Sequence, residues 1–391
     1  MNRVLISLGS AVLFLLASSS GNAMAAEPVR IGVSLGLTGN YKAPAAMQKR
    51  GYELWLEEVN TRGGLQGRPV ELLIHDDQSD PATAVRFYRE FVTGGDVDHV
   101  FGPYSSELTA AVAPFVDEAG YPMLAPGAAA EAIWQNGYGG VFGMWMSASR
   151  YSQGMLRLAY EAGLKTIAIL HADDPFSEGI AMGARKWAPY LKFRVIVDER
   201  FAIGTRDLTQ QMRRARDAGA ELVIVAGHRD EAVNARQAAA TLGWEPPAFF
   251  ATVGPALAEW KEAMGDNAEG AFATTIWEPH ESVTYPHSQE FTTAFRQRFG
   301  VDPSYHAATA YAAGQILEAA ISQAGGLDKH NVRAALFDLD TYTITGRFAV
   351  DHTGMQVKRL GMILQWQDGK KEIVWPEEVR SAEPIFGRVS P

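Results

Sequence analysis

The chain has 391 residues, a formal net charge of -10 and no cysteine. The acidic balance argues against nucleic acid and anionic lipid as partners. Without cysteine there is no disulfide, so stability must come from a hydrophobic core, and a chain of this length can bury one; the length suits two domains.

In chain order, Arg3, the apolar run 4–17, the small polar stretch 18–22 and Ala23-Met24-Ala25 form the pattern of a secretory signal peptide, so residues 1–25 are expected to be removed. The run is shorter than the roughly 20 residues of a membrane span. No cysteine follows to take a lipid, which favours a bacterial periplasm. Beyond it, β-branched runs alternate with amphipathic stretches. Strands are expected at 29–33, 70–75, 99–101 and 122–124, then at 166–170, 193–197, 221–225, 248–251 and 271–276. Several are apolar throughout, as strands covered on both faces must be. Met47, Gly51, Leu54, Trp55 and Val59 fall on one face of a helix. Leu108, Ala111, Val112, Phe115 and Val116 fall on one face of another, which Pro114 should kink.

The strand–helix series occurs twice, divided by the Gly-rich aromatic stretch 137–146. The expected fold is α/β, with two doubly wound parallel-sheet lobes. The tail 366–391 has little periodicity and is expected to pack as an extended strap.

Ligands of open parallel sheets bind beyond the C-terminal strand ends. That rule selects the loops holding Tyr41, Tyr104-Ser105-Ser106, Gly127, Ala129, Phe176, His228 and Trp277. They mix glycine, hydroxyls and aromatics, which suits a small molecule with a charged end and an apolar body. Ser105 and Ser106 precede an amphipathic helix, whose free N–H groups favour an anion such as a carboxylate; the plainer reading is that one serine caps the helix. Tyr104 either stacks on a ligand or packs, and Trp277 is either core or pocket wall. His228 is either structural or part of the site. Asp76-Asp77 and Asp173-Asp174 read as turn and capping residues. No nucleophile elbow, zinc motif, phosphate loop or dinucleotide fingerprint is present, so no metal or cofactor is expected.

The chain resembles the periplasmic leucine/isoleucine/valine-binding proteins, of the type I periplasmic binding fold, over nearly all of 28–365. The likeness rests on Ile31-Gly32-Val33 with Leu37-Thr38-Gly39, the turn Asn60-Thr61-Arg62-Gly63-Gly64-Leu65-Gln66-Gly67, Asp76-Asp77-Gln78-Ser79-Asp80-Pro81, Gly102-Pro103-Tyr104-Ser105-Ser106 and the closing Val374-Trp375-Pro376. It implies a clamp with a three-crossing hinge near Trp145, Glu278 and Thr345. One lobe would comprise 26–145 and 279–344, the other 146–278 and 345–391 with the strap. It also implies a periplasmic monomer that delivers a small-molecule ligand to the membrane permease subunits of an ABC transporter. Ser106 would bind a ligand carboxylate and Gly127 would offer its backbone. Phe176 and His228 would supply aromatic contacts from the second lobe.

Two positions depart. Ala129 stands where amino-acid binders have threonine, and Gly254 where they have the acid that holds the ligand ammonium. The ligand is then a carboxylate without an α-amino group, an amide, or an amino acid held by a substitute acid such as Glu278, Asp174 or Asp230. Two other functions compete: a sensor that shows its bound form to a membrane receptor, and a secreted α/β hydrolase using a Ser106–His228 pair.

Overall fold

The computed structural model describes residues 27–359 and 361–387, so the expected signal peptide lies outside the described residues. The first sheet contains β1 (Val29–Leu35), β2 (Val70–Asp76), β3 (His99–Phe101), β4 (Met123–Ala125) and β5 (Val141–Gly143), all parallel, in the order β2-β1-β3-β4-β5. β5 lies inside the stretch read only as a divider. The second sheet contains β6 (Thr166–Ala172), β7 (Arg194–Phe201), β8 (Leu222–Ala226), β9 (Ala248–Ala251) and β10 (Ala271–Thr275). A small hairpin, β11 (Thr341–Thr343) and β12 (Gly346–Phe348), precedes β13 (Met362–Gln367) and β14 (Lys370–Trp375). The second sheet runs β14-β13-β10-β9-β8-β6-β7, with only β13 running antiparallel to the other strands. β6 and β8 through β10 are buried along their whole length, because helices cover both faces.

The start of the tail is therefore not a strap. Asp368 and Gly369 both take positive φ, 50° and 76°, which is the two-residue hairpin turn that an Asp-Gly pair favours. The turn folds Lys370–Trp375 back on Met362–Gln367 and extends the second sheet.

The first lobe is closed by a helix from far along the chain. Tyr305–Ala324 packs on Lys42–Thr61 so tightly that a Cβ on Gly51 would lie 2.1 Å from the Ala307 carbonyl oxygen. A Cβ on Gly314 would lie 2.1 Å from the Trp55 ring.

The chain passes between the lobes three times. The first passage follows β5 through Trp145, and the second follows β10 through Glu278. The third is not at Thr345. That residue lies in the β11–β12 turn, where Ile344 N donates to Gln315 Oε1 at 3.1 Å, and Gly143 N still donates to the Gly354 carbonyl at 2.8 Å. The hairpin belongs to the first lobe, so the passage falls between Gly354 and Met362.

Candidate functional site

The C-terminal strand ends of both sheets face one cleft, and rings fill it. From the first lobe come Tyr104, after β3, and Gly127 and Ala129, after β4. Trp145 stands on the first passage, its indole N–H donating to the Pro126 carbonyl. From the second lobe come Tyr151, Phe176 after β6, His228 after β8 and Val253 after β9. Tyr305 and His306 open the long helix of the first lobe and complete the wall. The lobes stand closed: about 20 Å³ remains among these residues, room for about one water.

Ser106 begins the helix Ser106–Glu118, but neither serine side chain caps it. The Ser106 hydroxyl accepts hydrogen bonds from Ala129 N at 3.0 Å and Ala130 N at 3.2 Å. It ties the β4 loop to the helix start, and with both lone pairs filled it can still donate to one acceptor. The neighbouring Ser105 hydroxyl is buried without a partner among the described residues.

His228 is where the lobes meet. Its Nδ1 lies 3.3 Å from the Tyr104 hydroxyl across the cleft. Its ring packs 5.0 Å from Tyr41 and 5.4 Å from Phe176, centroid to centroid. Its Nε2 lies 3.7 Å from Asp174 Oδ1. Burial alone would lower the His228 pKa, but Asp174, helped by Glu231 and Glu107, raises it above the ordinary value. Burial likewise opposes charge on Asp174, yet His228 and the bonds from Ser177 hold that carboxyl down at about 2. Asp174 thus does more than cap: it takes Phe176 N, Ser177 N and the Ser177 hydroxyl at the start of Pro175–Trp187 and also faces the imidazole. His306 is the opposite case, for burial and the nearby His228 keep it neutral.

Tyr41 is buried, edge-on to Tyr104 at 5.4 Å, and its hydroxyl donates to Glu107 at 3.3 Å. It stands between the aromatic cavity and an outer chamber of about 300 Å³, lined by Asn40, Gly204, Arg206, Asp230 and Asn234. Trp277 does not join the cleft. It is fully buried on the second passage, donates from Nε1 to Ser288 Oγ at 2.8 Å and packs on Phe291, so it is a core anchor. The Ser106–His228 couple of a hydrolase is not formed, since the histidine nitrogens face Tyr104 and Asp174 and the serine oxygen faces two amides.

The strand-end rule selected the loop 253–255 but missed Tyr151, Tyr305 and His306. The signal for the last two was Asp302-Pro303-Ser304, a turn with serine at the N-cap of a long apolar helix. Among the described residues no group of histidines and carboxylates could hold a metal, and no helix is long and apolar enough to cross a membrane.

Two lobes on a triple hinge with a buried cleft between them define a ligand clamp. The family model for "Periplasmic binding protein" matches residues 28–371, and the chain belongs to that family, whose members bind substrates. It is 25% identical to the Leu/Ile/Val-binding protein homolog 7 of Brucella suis, over 98% of this chain and 99% of that one. It is 28% identical to the leucine-, isoleucine-, valine-, threonine-, and alanine-binding protein of Pseudomonas aeruginosa, over 87% and 90%. Among solved structures, the branched-chain amino acid transporter substrate-binding protein LivJ of Streptococcus pneumoniae, in complex with isoleucine, has a TM-score of 0.81 at 22% identity, over 90% of this chain and 100% of that one. A solute-binding protein of R. palustris in complex with benzoate has a TM-score of 0.78 at 19% identity, over 89% and 95%. These likenesses agree with the fold.

Proposed function

We propose that the protein is the periplasmic solute-binding component of an ABC uptake system, closing its lobes on a small organic carboxylate, amino acid or amide and presenting it to the membrane permease subunits. The observation that carries this reading is the aromatic cleft, walled by both lobes and the first passage, with the free Ser106 proton at one end; shut and empty it has room for about one water, so a ligand enters by parting the rings. A ligand there touches both lobes only when they are shut, so its binding energy favours the shut state. The names of the relatives support an amino acid or a related acid. The fold itself does not choose, for it holds isoleucine in the S. pneumoniae protein and benzoate in the R. palustris one.

A thermal-shift screen over amino acids, their amides, and aliphatic and aromatic carboxylates tests the reading. A ligand at 100 times its Kd stabilises the protein by about 2.7 kcal/mol, an easily seen rise in Tm. No rise with any of these compounds would sink it.

A further inference from the structure

We infer that the cleft selects a flat, apolar organic acid, in the simplest case an aryl carboxylate, and not an α-amino acid; the inference rests on the cleft being the ligand site. An ammonium brings three N–H donors and a full charge, and burying it without acceptors is costly. Neutral acceptors such as the Ser105 hydroxyl and the Gln48 amide stand near the cavity, but none carries the negative charge that a buried ammonium needs, and the carboxylates around it are already engaged. Asp174 spends one oxygen on Phe176 N and Ser177 N, the other on the Ser177 hydroxyl, and faces His228 as well. Glu231 spends its two oxygens on Gly204 N at 2.9 Å and His228 N at 3.1 Å. Glu278 is charge-paired with Lys371 at 2.6 Å, and the exposed Asp230 is on Arg229 at 2.6 Å. The Ser106 oxygen is filled by two backbone amides.

The loop after β9 meets the cavity with Val253, an apolar side chain. Its neighbour Gly254 has no room for an acid. A Cβ there would lie 2.6 Å from the Ala232 methyl and 3.1 Å from the Trp260 ring, which is fixed by its own bond to the Ala268 carbonyl. What the cavity does offer is hydroxyl protons, from Ser106 and the tyrosines, and ring faces and edges from Tyr104, Trp145, Tyr151, Phe176 and Tyr305. Hydroxyl donors beside ring walls, with no carboxylate left for an ammonium, match a carboxylate on a flat apolar body.

The test is titration calorimetry on the whole mature protein with matched pairs: L-phenylalanine against 3-phenylpropanoate, and L-leucine against 4-methylpentanoate, with benzoate alongside. The acids are expected to bind at least as tightly as their amino acids, and benzoate to bind. An amino acid that binds more tightly than its des-amino partner in either pair overturns the inference and leaves the solute-binding reading standing. Failure of every probe overturns both. A Val253→Glu variant adds the missing acceptor and is expected to move the acid-to-amino-acid affinity ratio at least tenfold toward the amino acid. An unmoved ratio in a folded variant counts against the inference, and if that variant does not fold the wild-type pairs still decide.

Discussion

Ser106 shows how one hydroxyl serves two ends. Its oxygen satisfies Ala129 N and Ala130 N, and its proton is left for a ligand. Ser106→Ala removes both. A charge-assisted bond to a carboxylate is worth about 1.5–3 kcal/mol, so affinity should fall roughly ten- to a hundredfold. Two buried amides also lose their acceptor, at about 1–3 kcal/mol each before water replaces it. Calorimetry and urea denaturation of the same variant should therefore both show a loss, and intact stability of the empty protein would contradict the bonding to the β4 loop. His228 makes a second prediction at this scale. Its pKa is raised above 6.5, so its contribution to stability is fully present below pH 6.5 and is lost as pH rises through the raised value. Asp174 is lowered from 3.8 to about 2, so its contribution is present above pH 3.8 and is lost as pH falls through 2. The pair should stabilise the closed protein most between about pH 4 and pH 6.5. Stability measured against pH should decline above that window, and His228→Asn should flatten the decline.

At the scale of elements, the contact between Lys42–Thr61 and Tyr305–Ala324 is set by two glycines. Gly314→Ala gains roughly 1 kcal/mol of helix propensity. The new methyl would sit 2.1 Å from the Trp55 ring, and that indole cannot swing aside freely because its N–H is held by Glu318 at 2.7 Å. Overpacking costs about 1–3 kcal/mol, so the clash wins. Urea denaturation should show a lower midpoint, and an unchanged or higher one would mean the helices part without cost. Elements of this kind were legible to different depths. The parallel strands could be read because burial on both faces writes continuous apolar runs such as Leu222–Ala226. Ser106 could be read because a strand end meets a helix start there. The β13–β14 hairpin was hidden because Gln365, Gln367 and the lysines of β14 break its apolar run, although Asp368-Gly369 marked the turn. Trp277 was ambiguous because a strand end leads to either cleft or core; its bond to Ser288 depends on a helix whose placement no local pattern gives. Tyr305 and His306 reach the cleft from a helix some 200 residues beyond Tyr104, a proximity set only by the tertiary path.

At the scale of the molecule, the Tyr104–His228 contact and the Tyr41 ring against His228 join the lobes. Without ligand, these contacts stand with a shared apolar cluster and the Ser149 N–Glu131 bond in holding the cleft shut. With ligand bound, every wall gains a partner and closure is favoured. Small-angle scattering should then report a smaller radius of gyration on adding saturating ligand, and an unchanged radius would count against a moving clamp.

The third passage, late in the chain, bears on how the protein is made. Trp55 and Glu318, bonded in the finished molecule, are 263 residues apart. A nascent chain that has emerged only as far as residue 300 holds β1 to β5 but not the helix that covers Tyr52, Trp55 and Val59. Through that interval the lobe synthesised first keeps a bare apolar face, while β6 to β10 of the other lobe already lie together in one continuous stretch. Such long-range closure is of the slow, aggregation-exposed kind. The first lobe needs shielding on that face until the last quarter of the chain arrives.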